Sequence, residues 1–306
     1  MSYSSSSTGE YYARRLLPSS AFPEAYTPPT WETSPDILYE LSPAEKRTSR
    51  FAVEGNSIIT GGCGHLGLEV ARALLEHGAP GVSLFDVDPA KSHTFVNQLR
   101  LDFPSAKIMT QKVDICDELS VLRAVAETIA ELGSVNILLC FAGVEACNHA
   151  LLIGLEEWRS TLAENAKASW LCARVVARRM IQQGTGGSIV FTASISAHSI
   201  NFPVPQLLDT RMGAVSPTLS QSKSSAAAEW ARYGIRVNSI SPGYMDTMYN
   251  ENIGLEEARS IWASKKPMGM IGGPSELTGT VVLLCSRAGK YINGADILVD
   301  GGGNML

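Results

Sequence analysis

The 306-residue chain predicts an α/β fold, one domain in which helices cover both faces of a doubly wound parallel sheet in three layers, α/β/α. Three observations predict it. From Phe51 onward, short apolar segments alternate with helix-length amphipathic ones, as in successive βαβ units. Apart from Asn136, residues 135–141 are apolar without alternation, as expected of a strand buried on both faces. A glycine-rich turn at 61–67 joins the first strand of the series to its first helix.

Residues 1–50 are expected to be a mostly disordered N-terminal extension. They are rich in Ser, Pro, Thr and Tyr and hold too little periodic apolar surface to offset the entropy of ordering. Within them, Ser42-Pro43-Ala44-Glu45 reads as a capping box with Pro at the first helical position, so one short helix is expected before the domain, 51–306. The first strand is residues 56–60. A helix follows with Leu66, Val70, Ala73 and Leu74 on one face and stops at His77-Gly78. Then come strand 81–86, helix 89–103, strand 107–113, helix 117–132 and strand 135–141. A long helix at 156–183 leads to strands 188–192, 235–240 and 297–299. Every motif below falls at a strand's carboxyl end, where sheets of this kind bind ligands.

Composition narrows the function. A net charge of −5 with no Lys/Arg-rich run gives no footprint for nucleic acid. The longest apolar run, 137–144, is far short of the ~20 residues of a membrane span. The N-terminal stretch reads as a disordered tail without the continuous apolar h-region of a secretory signal, Arg14 and Arg15 in a Ser-rich, acid-poor start being the alternative of a weak transit peptide, and a cytoplasmic location is expected. The six cysteines form no C-x-x-C pair and lie mostly in apolar segments, and the five histidines are scattered. Neither a disulfide framework nor a metal site is expected.

The glycine turn carries the chemistry. Gly62, Gly64 and Gly67 fit G-x-G-x-x-G between a strand and a helix, and Asp86 ends the second strand 19 residues after Gly67. In that context the glycines serve a tight turn, close approach to a pyrophosphate, and helix–strand packing. Backbone N–H groups and the dipole at the helix start favour the phosphates. A carboxylate at Asp86 would accept from an adenosine ribose and repel a 2′-phosphate, so NAD is favoured over NADP. Asp88 competes for that role.

Further motifs follow in order: Thr60-Gly61 to Gly67, Phe141-Ala142-Gly143, Asn165, Gly187-Ser188-Ile189-Val190 with Ser194, Arg236-Val237-Asn238, and Ser241-Pro242-Gly243. In this order and spacing the chain from about 51 to 306 resembles the short-chain dehydrogenase/reductase family, whose fold is a Rossmann-type sheet. The stretches 191–194, 241–247 and 291–296 resemble its fungal sugar-alcohol branch, with relatives in secondary metabolism. The resemblance implies that Gly61, Gly62, Gly64, Leu66 and Gly67 cradle the cofactor and that Asp114 contacts the adenine. Ala142 and Gly143 would line the cofactor, and Pro242, Gly243 and Thr247 would hold its nicotinamide end. Residues 244–267 would form a substrate lid. A small-molecule substrate is expected, and the family's subunit interface would make a homo-oligomer.

The catalytic half departs from the family's pattern. The family uses Tyr and Lys in a Y-x-x-x-K helical turn, a Ser that holds the substrate oxygen, and an Asn in a neighbouring helix. Ser194 and Asn165 are in place, with Ser196 as understudy. Counting 15 residues from Ser194 puts Asp209 at the Tyr position and Gly213 at the Lys position. The alternative register, Leu219 to Lys223, keeps Lys223 but offers Leu for Tyr. No tyrosine occurs between Lys167 and Arg232. Pro217 is expected to break or kink this helix. Phe141 replaces the Asn of N-A-G, and His65 replaces a glycine. Three readings stay open. The first is an oxidoreductase with a substitute proton donor (Asp209, His198, Tyr244 or a water on Lys223). The second is non-redox chemistry such as dehydration, isomerisation or cyclisation. The third is an inactive binding protein, or a mispredicted intron across 207–225.

Overall fold

The computed structural model describes residues 41–144, 150–198, 210–246, 260, 263, 264 and 266–305. Among them, helix α1 (Pro43–Phe51) starts where the capping box places it. Ser42 Oγ accepts from Glu45 N, and Glu45 Oε2 accepts from Ser42 N at 2.8 Å. Residues 1–40 lie outside the described residues, so the extension is not addressed.

Seven strands among the described residues form one parallel sheet: β1 (Ser57–Thr60), β2 (Gly81–Asp86), β3 (Lys107–Lys112), β4 (Ile137–Cys140), β5 (Gly187–Thr192), β6 (Ile235–Pro242) and β7 (Asp296–Val299). Their order is β3-β2-β1-β4-β5-β6-β7. The chain winds outward from β1 to β3, returns to β4, and winds outward the other way. The reversal between β1 and β4 opens a crevice at the carboxyl edge of the sheet.

Neighbouring residues of a strand face opposite layers. Ile58, Leu138, Ile189 and Val237 pack against α4 (Glu118–Leu132), α6 (Ala168–Gln183) and α7 (Thr210–Trp230) through Val121, Val125, Val176, Met180 and Leu219. Ile59, Leu139, Val190 and Ile240 pack against α2 (His65–Glu76) and α8 (Thr278–Cys285) through Val70, Leu74, Val281 and Leu284. The second strand's helix is α3 (His93–Asp102), entered through a 3₁₀ turn at Pro89–Ser92. Each fully buried Leu, Ile or Val contributes about 1.5–3 kcal/mol, so the two layers supply most of the driving force.

Two expectations change. The long helix expected at 156–183 is α5 (Leu155–Leu162) joined to α6 by a π-helical turn, Ala163–Lys167. Helix α7 runs unbroken across Pro217. The ring forfeits one helical hydrogen bond, but Val215, Ser216, Leu219, Lys223, Ala226 and Ala227 are all buried along this stretch. Tertiary packing outweighs the local cost there. No helix among the described residues is long and apolar enough to cross a membrane.

Candidate cofactor and active site

The glycine turn lies at the β1 side of the crevice. Gly61 has φ +64°, a left-handed conformation that side chains rarely adopt, and a Cβ there would lie 2.8 Å from Ala142 N. A Cβ at Gly67 would run into Gly61 O and lie 2.7 Å from Gly62 Cα. One at Gly62 would lie 2.7 Å from Ile59 O, whereas at Gly64 the nearest atom is Gly61 O at 3.2 Å. The steric requirement therefore falls on Gly61, Gly62 and Gly67, rather than on the triplet Gly62, Gly64 and Gly67. Gly64 has extended backbone (φ −79°, ψ 167°) and serves as the N-cap of α2. It brings no side-chain cap, which leaves the first N–H groups of α2 to other acceptors. Leu66 packs partly buried against the α2-side core.

Asp86 closes the turn from β2. Its Oδ2 accepts from Cys63 N at 3.2 Å and its Oδ1 from Asp88 N at 3.0 Å. Asp88 sits in the following turn and pairs with Lys91 at 3.3 Å. Asp86 is thus the carboxylate joined to the glycine turn. Burial, with help from Asp86 and Asp88, pushes the Cys63 thiol up to about 11. Asp114 is exposed just past β3, its Oδ1 accepting from Cys116 N at 2.9 Å.

On the β4 side, Ala142 N donates to Thr60 Oγ1 at 3.2 Å, tying the segment after β4 to β1. Asn165 lies in the π-helical turn, 7% exposed. Its Oδ1 accepts from Val144 N at 2.9 Å, and its Nδ2 donates to Val144 O at 3.0 Å and Thr161 O at 3.1 Å. A Cβ at Gly143 would lie 2.5 Å from that Oδ1. Asn165, within the π turn, therefore holds the backbone of Val144 next to Ala142 and Gly143.

Beyond β5, Ser194 caps a 3₁₀ turn at Ile195–Ala197, its Oγ accepting from Ser196 N and donating to Ser196 Oγ, both at 3.2 Å. Thr192 Oγ1, at the end of β5, is buried without a hydrogen-bond partner among the described residues. At the end of β6, Gly243 N donates to Val299 O at 2.9 Å. In a sheet of this order the adenosine half would lie over β2, beside Asp86, and the second half of a dinucleotide over β4, β5 and β6. The residues present fit such a group. The turn leaves no room for a Cβ at Gly61, Gly62 or Gly67, α2 starts without a side-chain cap, and Thr192 Oγ1 at the β5 edge has no partner among the described residues.

Asp209 and Thr247, and the lid expected at 244–267 apart from 244–246, 260, 263, 264, 266 and 267, lie outside the described residues. Leu219 is 3% exposed in the sheet-facing core. Lys223, one helical turn on, is also 3% exposed, neither a surface lysine nor a residue at the helix start. It lies 13 residues into α7, roughly 20 Å along the axis at 1.5 Å per residue. Burial pushes its ammonium pKa below the ordinary lysine value, and the charge of Asp296 opposes that shift.

Sequence reasoning missed two features. One is the cluster at Asp296. Its carboxylate accepts from Ser239 Oγ at 2.7 Å and from Ser241 Oγ at 3.0 and 2.9 Å, and it pairs with His198 Nε2 at 2.7 Å. The other is Lys266, 6% exposed. Its Nζ donates to Asp300 O at 2.9 Å, lies over the Tyr244 ring at 5.4 Å, and is 2.6 Å from where a Cβ on Gly243 would sit. Burial lowers its pKa, again against a carboxylate, Asp300. The signals that could have found these residues are the serines two apart on β6 and the strand pairing that sets Ser239 beside Asp296.

Comparison with known proteins agrees with this geometry. Residues 64–304 match the family model described as enoyl-(acyl carrier protein) reductase. The chain is 31% identical over 256 residues to the 2-dehydro-3-deoxy-D-gluconate 5-dehydrogenase of Escherichia coli (strain K12), covering 83% of this chain and 97% of that one. It is 31% identical over 262 residues to an NADP-dependent mannitol dehydrogenase of Hypocrea jecorina, covering 85% and 96%. Among solved structures, a short-chain type dehydrogenase/reductase from Mycobacterium marinum superposes with a TM-score of 0.78 at 32% identity, covering 83% and 98%. A gluconate 5-dehydrogenase from Burkholderia cenocepacia, in complex with NADP and tartrate, gives a TM-score of 0.76 at 27% identity, covering 85% and 99%. The matched relatives include bacterial sugar-acid dehydrogenases beside fungal ones, so nothing ties the chain to the fungal branch or to secondary metabolism. With the cradle, the strand order and these matches together, the chain belongs to the short-chain dehydrogenase/reductase family.

Proposed function

We propose that the protein is an NAD(P)-dependent oxidoreductase that interconverts a carbonyl and an alcohol on a polyol, a ketose or a sugar acid, with a non-standard catalytic site. The observation that carries this reading is the intact cradle: Gly61, Gly62 and Gly67 packed without room for a Cβ, below an uncapped α2 and beside Asp86. Relatives named for 2-dehydro-3-deoxy-D-gluconate, mannitol, sorbose and gluconate support the substrate class. The nicotinamide, when bound, supplies the hydride chemistry. Around it, Asp86 would take the ribose hydroxyls, the α2 N–H groups the phosphates, and Ala142, Gly143, Pro242 and Gly243 the second half. Asn165 holds the Ala142–Val144 strip in place, and Ser194 would hold the substrate oxygen.

Asp86 favours NAD, because its carboxylate repels a 2′-phosphate. Relatives that are named NADP-dependent, and the NADP complex, pull the other way. The test is a fluorescence titration of purified protein with NADH and with NADPH. We expect saturable binding, tighter for NADH, and oxidation of the bound cofactor by D-fructose, L-sorbose or 5-keto-D-gluconate that weakens in Ser194→Ala. No saturable change with either nucleotide refutes the proposal. Product formed with no net change in cofactor absorbance would instead support non-redox use of the fold.

A further inference from the structure

We propose that His198, oriented by Asp296, is the group that exchanges a proton with the substrate oxygen, in the place that a tyrosine does not fill. The inference rests on the oxidoreductase reading above. Reduction of a carbonyl needs a proton donor beside the oxygen, and no tyrosine lies between Lys167 and Arg232 to supply one. Topology puts the reacting centre over the carboxyl edge of β4, β5 and β6. His198 stands at that edge, four residues after Ser194, at the end of the 3₁₀ turn that leaves β5; its N–H donates to Ile195 O at 2.9 Å. The turn leans on α7 and β6.

The imidazole is held by a built carboxylate site. Asp296 opens β7 opposite Ser239 in the β6–β7 register, and Ser241 is two residues on, facing the same layer. Both hydroxyls donate to Asp296, whose side chain is 10% exposed, and the buried Lys223 of α7 adds positive charge nearby. Two hydroxyl donors fix the carboxylate in place. A fixed carboxylate on one imidazole nitrogen orients the ring. With Nε2 engaged by Asp296, Nδ1 is left to meet substrate, and a side chain 30% exposed can recover its proton from water. The ring meets Asp296 of β7, and that carboxylate in turn faces Ser239 and Ser241 of β6 and the charge of Lys223 of α7.

The step balances as follows. The carbonyl carbon accepts a hydride from a reduced nicotinamide and the π pair moves to oxygen. The Nδ1–H bond of the imidazolium breaks as the O–H bond of the alcohol forms, and water returns the proton to the imidazole. Oxidation runs the same steps backwards. His198 is the catalytic residue here and Asp296 a positioning residue.

The experiment uses the full chain with 5-keto-D-gluconate, D-fructose and L-sorbose as probe ketones. NADH and NADPH titrations come first, since their failure would sink the oxidoreductase reading itself. Given binding, we expect His198→Ala to bind cofactor like the wild type but to turn over about 10²–10⁴-fold more slowly. Added imidazole should restore part of that rate, which a merely structural histidine would not permit. Asp296→Asn should lower kcat and leave KM, and the double variant should be rescued by imidazole as well as His198→Ala alone. Independently of turnover, diethyl pyrocarbonate should modify His198 in the wild type, and cofactor plus ketone should block it. Turnover of His198→Ala within threefold of the wild type, absence of imidazole rescue, or modification unchanged by bound ligands would each overturn the assignment.

Discussion

Gly67→Ala is the most direct probe of the cradle. Gly67 is the third residue of α2 and its pro-Cβ position is filled by the turn it follows. The added carbon would meet Gly61 O and sit 2.7 Å from Gly62 Cα and 3.0 Å from Gly62 C. Carbon pairs rest at about 3.5–4.0 Å, so α2 must retreat from the turn by roughly 1 Å. The obstructing atoms are backbone, held by Gly62 N to Phe85 O at 3.1 Å and by Asp86, and cannot swing aside. Overpacking of this kind costs about 3 kcal/mol at its upper range. Alanine returns about 1 kcal/mol of helix propensity. The net loss of about 2 kcal/mol lowers Tm by roughly 4–8 °C for a domain of this size. Because α2's first N–H groups move with the helix, nucleotide affinity should also fall tenfold or more, tenfold being about 1.4 kcal/mol. The control is Gly64→Ser. Its nearest obstruction is at 3.2 Å, and serine is a favoured N-cap, so Tm should stay within about 2–4 °C, or 1 kcal/mol. Calorimetry and NADH titration of both variants decide the matter. If Gly67→Ala melts and binds like Gly64→Ser, the assignment of the steric roles is wrong.

Three further outcomes are expected. Asp86→Asn removes the charge that a 2′-phosphate would face, and the ratio of NADPH to NADH affinity should rise about tenfold, or 1.4 kcal/mol; an unchanged ratio in paired titrations removes Asp86 from the ribose site. Asn165→Ala leaves Val144 N, Val144 O and Thr161 O without their partner, and urea unfolding should show a loss of about 2–4 kcal/mol together with weaker nucleotide binding. Lys223→Met tests the buried cation through pH. The folded-state pKa of Lys223 is lowered by burial, so between that value and the unfolded value of 10.5 the unfolded chain binds the extra proton and stability rises with pH. The stability difference, wild type minus Lys223→Met, should therefore grow more positive through the alkaline window below 10.5, as read from denaturant melts at several pH values; a difference independent of pH contradicts the burial effect.

The sequence displays the cradle because each of its requirements is local: a turn, a helix start and a strand end lie within 26 residues, from Gly61 to Asp86. The sheet was legible for a similar reason, since a strand buried on both faces has no polar alternation to hide it. What lies across the sheet was not legible. Asp296 meets His198 98 residues away in the chain and Ser239 57 residues away, and no local pattern records such distances. The depth of Lys223 and Lys266 was not legible either, because a lysine in the sequence reports charge and not burial. Pro217 looked like a helix breaker because propensity omits the six buried residues from Val215 to Ala227 that hold α7 to the sheet.

The hydrogen bond from Cys63 N to Asp86 has a consequence for engineering. The residue that would choose between the two nicotinamide cofactors is also a strut of the turn that would grip their shared pyrophosphate. Preference and affinity are then not independent dials. A swap at position 86 that welcomes a 2′-phosphate also releases the Cys63 backbone, so a redesign needs a second, neutral acceptor for that N–H. Libraries that vary position 86 alone will be biased towards weak binders of both cofactors, whereas pairing it with position 63 searches the coupled pair as the fold presents it.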